Sequence, residues 1–455
     1  MGTCHHFDWV QIGSAINHPE QGKILDLSED VAKETGVEDA FVKLIPSNGY
    51  GNAQLLRKIL AEEKPDALMM FTDPRYWIWL FNMEREIRAK IPIIYLNIWD
   101  NPPYPMYNRS YYMSCDGLLG ISKQTVNINR QVLGEEESKN HVIRYLPHGV
   151  SAYFKPLAKD DPKILEMKKG IFGDNVPEFI LFYNARNIGR KRTADIILAW
   201  NDFCNKHGKT GADCCLYLHT DPVDGAGTDL PAVVRALCSP KTSVIIDSTK
   251  YSTEDLNLLY NMSDGVIMAS AAEGWGLAIT EALNTGKMFI ATVTGGMQDQ
   301  MRFEDEEGNW INFSKKFPSN HTGMYKKHGN WCIPVWPSEG RALVGSPLTP
   351  YIYDDRVSIE SLSEAIAELY NTPADVRERF GMEGYKWATS EEAGFTSAQM
   401  AKRFIQDAED TIEFHKTHPR SRYDLTKISL PRPSIQVDYD PVNYSIEDEK
   451  DILCN

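Results

Sequence analysis

The chain has 455 residues, with 48 Lys and Arg against 63 Asp and Glu for a formal net charge of −15. Hydrophobic residues at 42%, charged at 24% and aromatic at 11% exclude a disordered, collagenous or disulfide-scaffold chain, and this length suits two domains of about 200 residues each. The acidic balance excludes broad binding to nucleic acid or anionic membrane, because both need a surplus of cations to offset phosphate.

In chain order, short β-branched runs alternate with segments of helical period, the pattern of βα units feeding a parallel sheet. The beginning departs from it. A βα domain opens on a buried apolar strand, whereas His5-His6-Phe7-Asp8-Trp9 comes almost at once, so the first strand is expected to be missing, or the natural start to lie upstream. Strands are expected over 42–45, 67–72, 93–98, 117–121 and 142–146, with helices over 53–63, 76–90 and 125–133. A second series follows, with strands over 179–184, 214–219, 244–247, 265–269 and 288–292 and helices over 193–206, 229–237, 253–261 and 277–285.

Between the two series, Pro147-His148-Gly149-Val150, Phe154-Lys155-Pro156 and the polar stretch 159–169 make a junction rich in breakers. The expected organisation is an α/β protein with one Rossmann-like domain over 1–150 and a second over 151–390, facing each other across a cleft. Periodicity fails from 303 to 357, and an aperiodic segment this long is either a functional loop or disordered. Helical period returns over 359–370, 374–388 and 395–415. Residues 391–417 are expected to cross back to the N-terminal domain as a helix, and 418–455 to form an acidic tail. No apolar run approaches the roughly 20 residues of a membrane-spanning helix and no secretory leader pattern is present, so a soluble, cytoplasmic protein is expected. The eight cysteines lack paired metal spacing and read as reduced, largely buried thiols, and His5-His6 has no converging partners, so no metal site is expected.

Ligands of open α/β sheets sit beyond the carboxyl ends of the strands, which makes the residues after each strand the site candidates. The strongest signal is Glu273-Gly274-Trp275-Gly276-Leu277, running into a helix that carries Glu281. Glycines just before a helix let backbone amides approach an anion at the positive helix end, which suits a diphosphate. Glu273 in the loop and Glu281 in the second helical turn then face one mouth, where each can hold a different set of hydroxyls. The second signal follows the strand ending at Asn184: Arg186 and Lys191, with Arg190 and Arg192 beside them, gather cations in an acidic protein. Phosphate is the counter-charge that Arg and Lys suit; the alternative is a solvated basic loop or a salt bridge.

In the order Arg186-x4-Lys191, then Glu273-Gly274-Trp275-Gly276-Leu277 with Glu281, then Gly295-Gly296, the chain resembles the retaining GT-B glycosyltransferases of the family 4, or glycosyltransferase group 1, type. Pro147-His148-Gly149-Val150 and Ser252-Thr253-Glu254-Asp255-Leu256 support the resemblance, which covers about 90–300 and the helices to about 410. It implies a GT-B fold and a nucleotide-diphospho-sugar donor, UDP-, GDP- or ADP-linked, held by the C-terminal domain, with a hydroxyl acceptor on the N-terminal side. It implies that Arg186 and Lys191 contact the diphosphate, that Glu273 faces the donor sugar and Glu281 the ribose, and that the amides of Gly274 to Leu277 reach phosphate or sugar. It also implies that no metal or other cofactor takes part and that the sugar keeps its anomeric configuration. A nucleotide-sugar epimerase of the same fold and a catalytically inactive sugar-nucleotide-binding module are the alternatives.

One departure concerns the N-terminal domain, where many relatives place a His after a strand and this chain has Trp99-Asp100-Asn101-Pro102-Pro103. Asp100 either fills the role of a polar group at the sugar or caps the Pro-rich turn, and Trp99 is a candidate to stack on a sugar face. Asp73 is either an acceptor contact or a turn cap, and His148 either a substrate contact or a hinge residue. His219 ends a strand and is a candidate for the nucleotide pocket, while Trp310, Trp331 and Trp336 form either a sugar platform or packing.

Overall fold

The structure, a computed structural model, describes residues 2–418, so the tail expected beyond His418 lies outside the described residues. A small sheet comes first: β1 (Trp9–Ser14), β2 (Leu25–Asp26) and β3 (Val42–Ser47) lie in the order β1-β3-β2, with β1 and β3 parallel. The strand expected to be missing thus has a counterpart in β1, after His5-His6-Phe7. Its residues are half-buried or exposed, without the buried run expected of a first strand.

A four-stranded parallel sheet follows in sequential order, built of β4 (Leu68–Phe71), β5 (Ile93–Asn97), β6 (Gly117–Gly120) and β7 (Val142–Tyr145). All of β5 is buried, as a parallel strand covered on both faces must be, which is why it reads as an apolar run up to Asn97. Helices between the strands start where a side chain satisfies the free amides: Asn52 accepts from Gln54 and Leu55 N–H, and Ser122 from Thr125 N–H.

The second sheet has six strands in the order β10-β9-β8-β11-β12-β13, all parallel: β8 (Phe179–Asn184), β9 (Cys214–His219), β10 (Val244–Asp247), β11 (Gly265–Met268), β12 (Phe289–Thr292) and β13 (Cys332–Val335). Chain order reverses between β8 and β11, so the loops after these strands flank the switch point where an open α/β sheet binds its ligand.

Three stretches differ from the sequence reading. The polar junction at 159–169 contains a helix, Pro162–Phe172, capped by Asp161 with Pro162 in its first turn. The aperiodic segment supplies edge strand β13 and an antiparallel hairpin, β14 (Gly340–Ser346) and β15 (Thr349–Arg356). The helix expected over 76–90 is broken into short turns at Pro74–Trp77, Ile78–Phe81 and Glu84–Arg88.

Helix Ser397–Thr417 packs on the N-terminal sheet, with Phe404 and Ala408 against Ile94, Leu96, Leu119 and Leu146. Gly117 makes room for it, since a Cβ there would stand 2.7 Å from Thr411 Oγ1. The described cysteines are free, and among the described residues no helix is long and apolar enough to cross a membrane.

Candidate functional site

After β8 the chain makes a single 3-10 turn, Gly189–Lys191, and passes through Arg192 (φ 56°) into helix Thr193–His207. This turn lays Arg190 and Lys191 over the loop that follows β11. Lys191 Nζ donates to Glu273 Oε2, and Arg190 Nη1 donates to the same oxygen at 2.9 Å and to Ala272 O at 2.7 Å. Burial alone would raise the Glu273 carboxyl, but Lys191 and Arg190 outweigh it and hold the group at about 2.

The N-terminal domain reaches this cluster through the loop after β5. Asp100 Oδ2 lies 3.9 Å from Arg190 Nε, and burial raises its carboxyl in spite of Arg190. A Cβ on Gly274 would stand 2.5 Å from Ile98 O and 3.0 Å from Asp100 Oδ1, so this glycine is required for the two domains to meet here. Asn101 fixes the loop on the far side, donating to Thr294 Oγ1 at 2.9 Å and Tyr353 O at 3.1 Å across the domain boundary.

Gly295 presses on the Glu273 loop from behind. It has φ 50°, a Cβ would fall 1.8 Å from Glu273 O, and Gly296 N–H donates to that same carbonyl at 2.9 Å. Gly295→Ala is therefore expected to push the loop away and cost about 1–3 kcal/mol, read as a lower midpoint in urea denaturation together with weaker nucleotide binding.

Glu281 sits at the other end of the mouth, in helix Leu277–Asn284. Tyr260 OH and Asn184 Nδ2 (3.2 Å) donate to its Oε2, while Asn184 Oδ1 lies 2.8 Å from His219 Nδ1. Burial raises its carboxyl to about 7 against an ordinary 4.5, although both donors pull the other way. His219 joins the site as the support of Asn184, with its Nε2 2.9 Å from Thr249 O.

Asp100, Lys191, Glu273 and Gly274 therefore converge, with Gly276 and Leu277 opening the helix beside them and Glu281 at the far side. Several expected residues do not join. Arg186 turns away to an exposed ion pair with Asp224, at 2.7 Å from its Nε, and Arg190 stands in its place on Glu273. Trp99 is buried in the N-terminal core and its indole N–H donates to Asn101 O at 2.9 Å, so no face is free for a sugar. The Trp275 side chain also faces inward, bonded to Thr280 Oγ1 at 2.8 Å and edge-on to Phe395, which leaves only its backbone toward the mouth.

Asp73 caps its turn, accepting from Arg75 N–H at 3.0 Å and pairing with the Arg75 guanidinium at 2.8 Å. His148 is half-buried after β7, where burial depresses its imidazole to about 4. Trp310, Trp331 and Trp387 pack on one another, and Trp336 on Phe303 and His321. Among the described residues no group of His, Cys, Asp and Glu could hold a metal ion.

Arg190, Asn101 and the Asn184–Tyr260 pair behind Glu281 are the site residues that sequence reasoning passed over as partners. For Arg190 the signal was its position beside Lys191 in the same strand-end run. For Asn184 it was the polar end of an otherwise apolar strand.

Two parallel sheets, with the loop after β5 of the first meeting the switch-point loops of the second, and a last helix returning to the first domain, define the GT-B architecture. Residues 243–316, which include Glu273, Glu281 and Gly295-Gly296, match the family model of glycosyl transferases group 1. No curated protein matches the chain. Among solved structures, a glycosyltransferase from Rickettsia africae superposes with TM-score 0.56 at 17% identity, over 85% of this chain and 89% of that one. Anabaena Alr3699/HepE, in complex with UDP and glucose, gives TM-score 0.55 at 12% identity over 84% and 89%. Sucrose-phosphate synthase from Thermosynechococcus elongatus gives 0.54 at 14% identity over 79% and 77%.

Proposed function

We propose that this chain is a retaining glycosyltransferase that moves a sugar from a nucleotide-diphospho-sugar to a hydroxyl acceptor without a metal or other cofactor. The observation that carries the reading is the pair of cations, Arg190 and Lys191, set on Glu273 at the switch point within the mouth that Gly276 and Leu277 open. The complexes of Anabaena Alr3699/HepE with UDP and glucose and with UDP-glucose support a UDP-sugar as the first donor to try.

In sugar transfer the anomeric carbon becomes oxocarbenium-like while negative charge grows on the departing diphosphate. Fixed cations and a helix N-terminus lower the barrier because they are in place before that charge appears. Lys191 and Arg190 are the leaving-group stabilisers in this account, Glu273 orients them and faces the sugar, and Glu281 accepts from the ribose hydroxyls. Asp100, from the other domain, stands where a polar group meets the sugar or the attacking hydroxyl.

Asp100→Asn is expected to lower kcat about 10-fold to 100-fold while leaving the donor KM within about three-fold, because it removes a charge near the reacting carbon without touching the diphosphate. The function itself is tested by offering UDP-, GDP- and ADP-sugars, with and without EDTA, and measuring free nucleotide. Release that survives EDTA and is lost in Glu273→Ala supports transfer or hydrolysis, and release that rises with an added acceptor singles out transfer. Binding without turnover under every acceptor tried favours an inactive binding module.

A further inference from the structure

The loops after β3 and β4 meet at one edge of the N-terminal domain and leave aromatic surface uncovered. Phe71, Tyr76 and Ile78 are 46%, 45% and 44% exposed. Tyr76 stacks on Tyr50 at 4.6 Å, Trp77 stands edge-on to Tyr50 at 5.3 Å, and the Trp77 indole N–H donates to Phe71 O at 2.9 Å, which ties the two loops to the end of β4 in one aromatic patch around Phe71 and Tyr76. Phe71 ends β4, so the patch lies at the carboxyl end of the parallel sheet, the end where the loop after the neighbouring strand β5 carries Asp100.

Polar groups are set among these rings. Asp73 and Arg75 pair within the same turn, and Arg75 Nη1 donates to Thr349 Oγ1 of the β14–β15 hairpin at 2.9 Å. The hairpin belongs to the other half of the chain, so the patch opens where the two domains come together. The Phe71 ring also lies 6.2 Å from that of His148 at the hinge.

The backbone at this point is strained. Thr72 has φ 86°, which a β-branched residue adopts only when its surroundings enforce it, and such strain gathers at ligand sites. The buried Tyr95 hydroxyl donates to Thr72 O at 2.8 Å, as Trp77 does to the preceding carbonyl. Two side-chain donors therefore fix consecutive carbonyls at the bend that carries Phe71, Asp73 and Arg75.

We propose that this patch is the acceptor subsite and that the acceptor is a saccharide, its C–H face stacked on Phe71 and packed against the exposed edge of Tyr76, whose faces meet Tyr50 and the Arg75 guanidinium, and its hydroxyls held by Asp73 and Arg75. A sugar ring offers an apolar face rimmed by hydroxyls, which is the complement of aromatic faces beside an ion pair. An acyl chain has no use for the ion pair, and the net charge of −15 opposes an anionic bilayer. The assignment as acceptor site rests on the proposed transfer function.

The test titrates the full-length protein with maltotetraose, cellotetraose and chitotetraose, following tryptophan fluorescence, and separately with UDP, GDP and ADP. Binding of at least one oligosaccharide is expected, weakened about ten-fold or more in Tyr76→Ala and Phe71→Ala but retained in Tyr76→Phe, with nucleotide affinity unchanged throughout. Equal oligosaccharide affinity in wild type and both alanine variants would overturn the proposal. So would failure of every oligosaccharide to bind, and Tyr76-dependent binding to phosphatidylcholine vesicles in that case would assign the patch to a lipid. Oligosaccharide binding lost in the variants, in a protein that binds no nucleotide, would sink the donor reading and leave the saccharide site standing.

Discussion

Lys191→Ala is expected to lower kcat/KM for the nucleotide-sugar about 100-fold to 1,000-fold, the range seen when one preorganised donor to a developing negative charge is removed. The side chain is mostly buried, at 11% exposure, and sits on Glu273, so its charge acts in a water-poor site. Its loss also leaves Glu273 with Arg190 alone, which weakens the orientation of the remaining cation. Arg186→Ala makes the contrast. Because that guanidinium is exposed and spends itself on Asp224, its removal is expected to change kcat/KM by less than about three-fold. Steady-state kinetics on both variants check the assignment, and equal losses would show that Arg186 swings into the site when donor binds.

Glu281→Gln is expected to raise the donor KM about 10-fold to 100-fold, as when a charged acceptor of two hydroxyl hydrogen bonds is replaced by a neutral one. The wild-type pH profile carries a second signature. With its carboxyl raised to about 7 by burial, Glu281 is about half ionised near neutrality, so the wild-type donor KM should climb as pH falls below 7. The glutamine variant should show no such inflection. Stability runs in the opposite sense: a carboxyl raised above its ordinary 4.5 favours the folded state at low pH and loses that contribution as pH rises through 7. The Tm of Glu281→Gln relative to wild type should therefore be higher at pH 8 than at pH 5, by scanning calorimetry.

The βα series was legible because parallel strands buried on both faces are apolar along their length, as β5, β8 and β9 are up to their polar last residues. What escaped is strand without that signature. β1 has no buried residue, β13 is an edge strand containing Pro334, and β15 carries Pro350 near its start, so each broke the pattern that marks a central strand. Helix Pro162–Phe172 was hidden by its polar surface, although Asp161-Pro162 before it and Gly173 after it were start and stop signals.

Position after a strand singled out Asp100, Lys191 and Glu273, which the structure brings together, and the glycine loop running into a helix singled out Glu281. Choosing between Arg186 and Arg190 was not possible by spacing, because the choice is made by the turn at Gly189–Lys191 and by Asp224, which follows a different strand. The inward direction of Trp99 and Trp275 is likewise set by tertiary partners, Asn101 O and Thr280, that no local pattern announces.

The most direct test of the donor site is a crystal structure of the protein with a nucleoside diphosphate or an intact nucleotide-sugar. The diphosphate is expected within hydrogen-bonding distance of Lys191 Nζ and the Arg190 guanidinium, before the amides of Gly276 and Leu277, with the ribose hydroxyls on Glu281. A diphosphate bound elsewhere, with Lys191 and Arg190 still closed on Glu273, would contradict it.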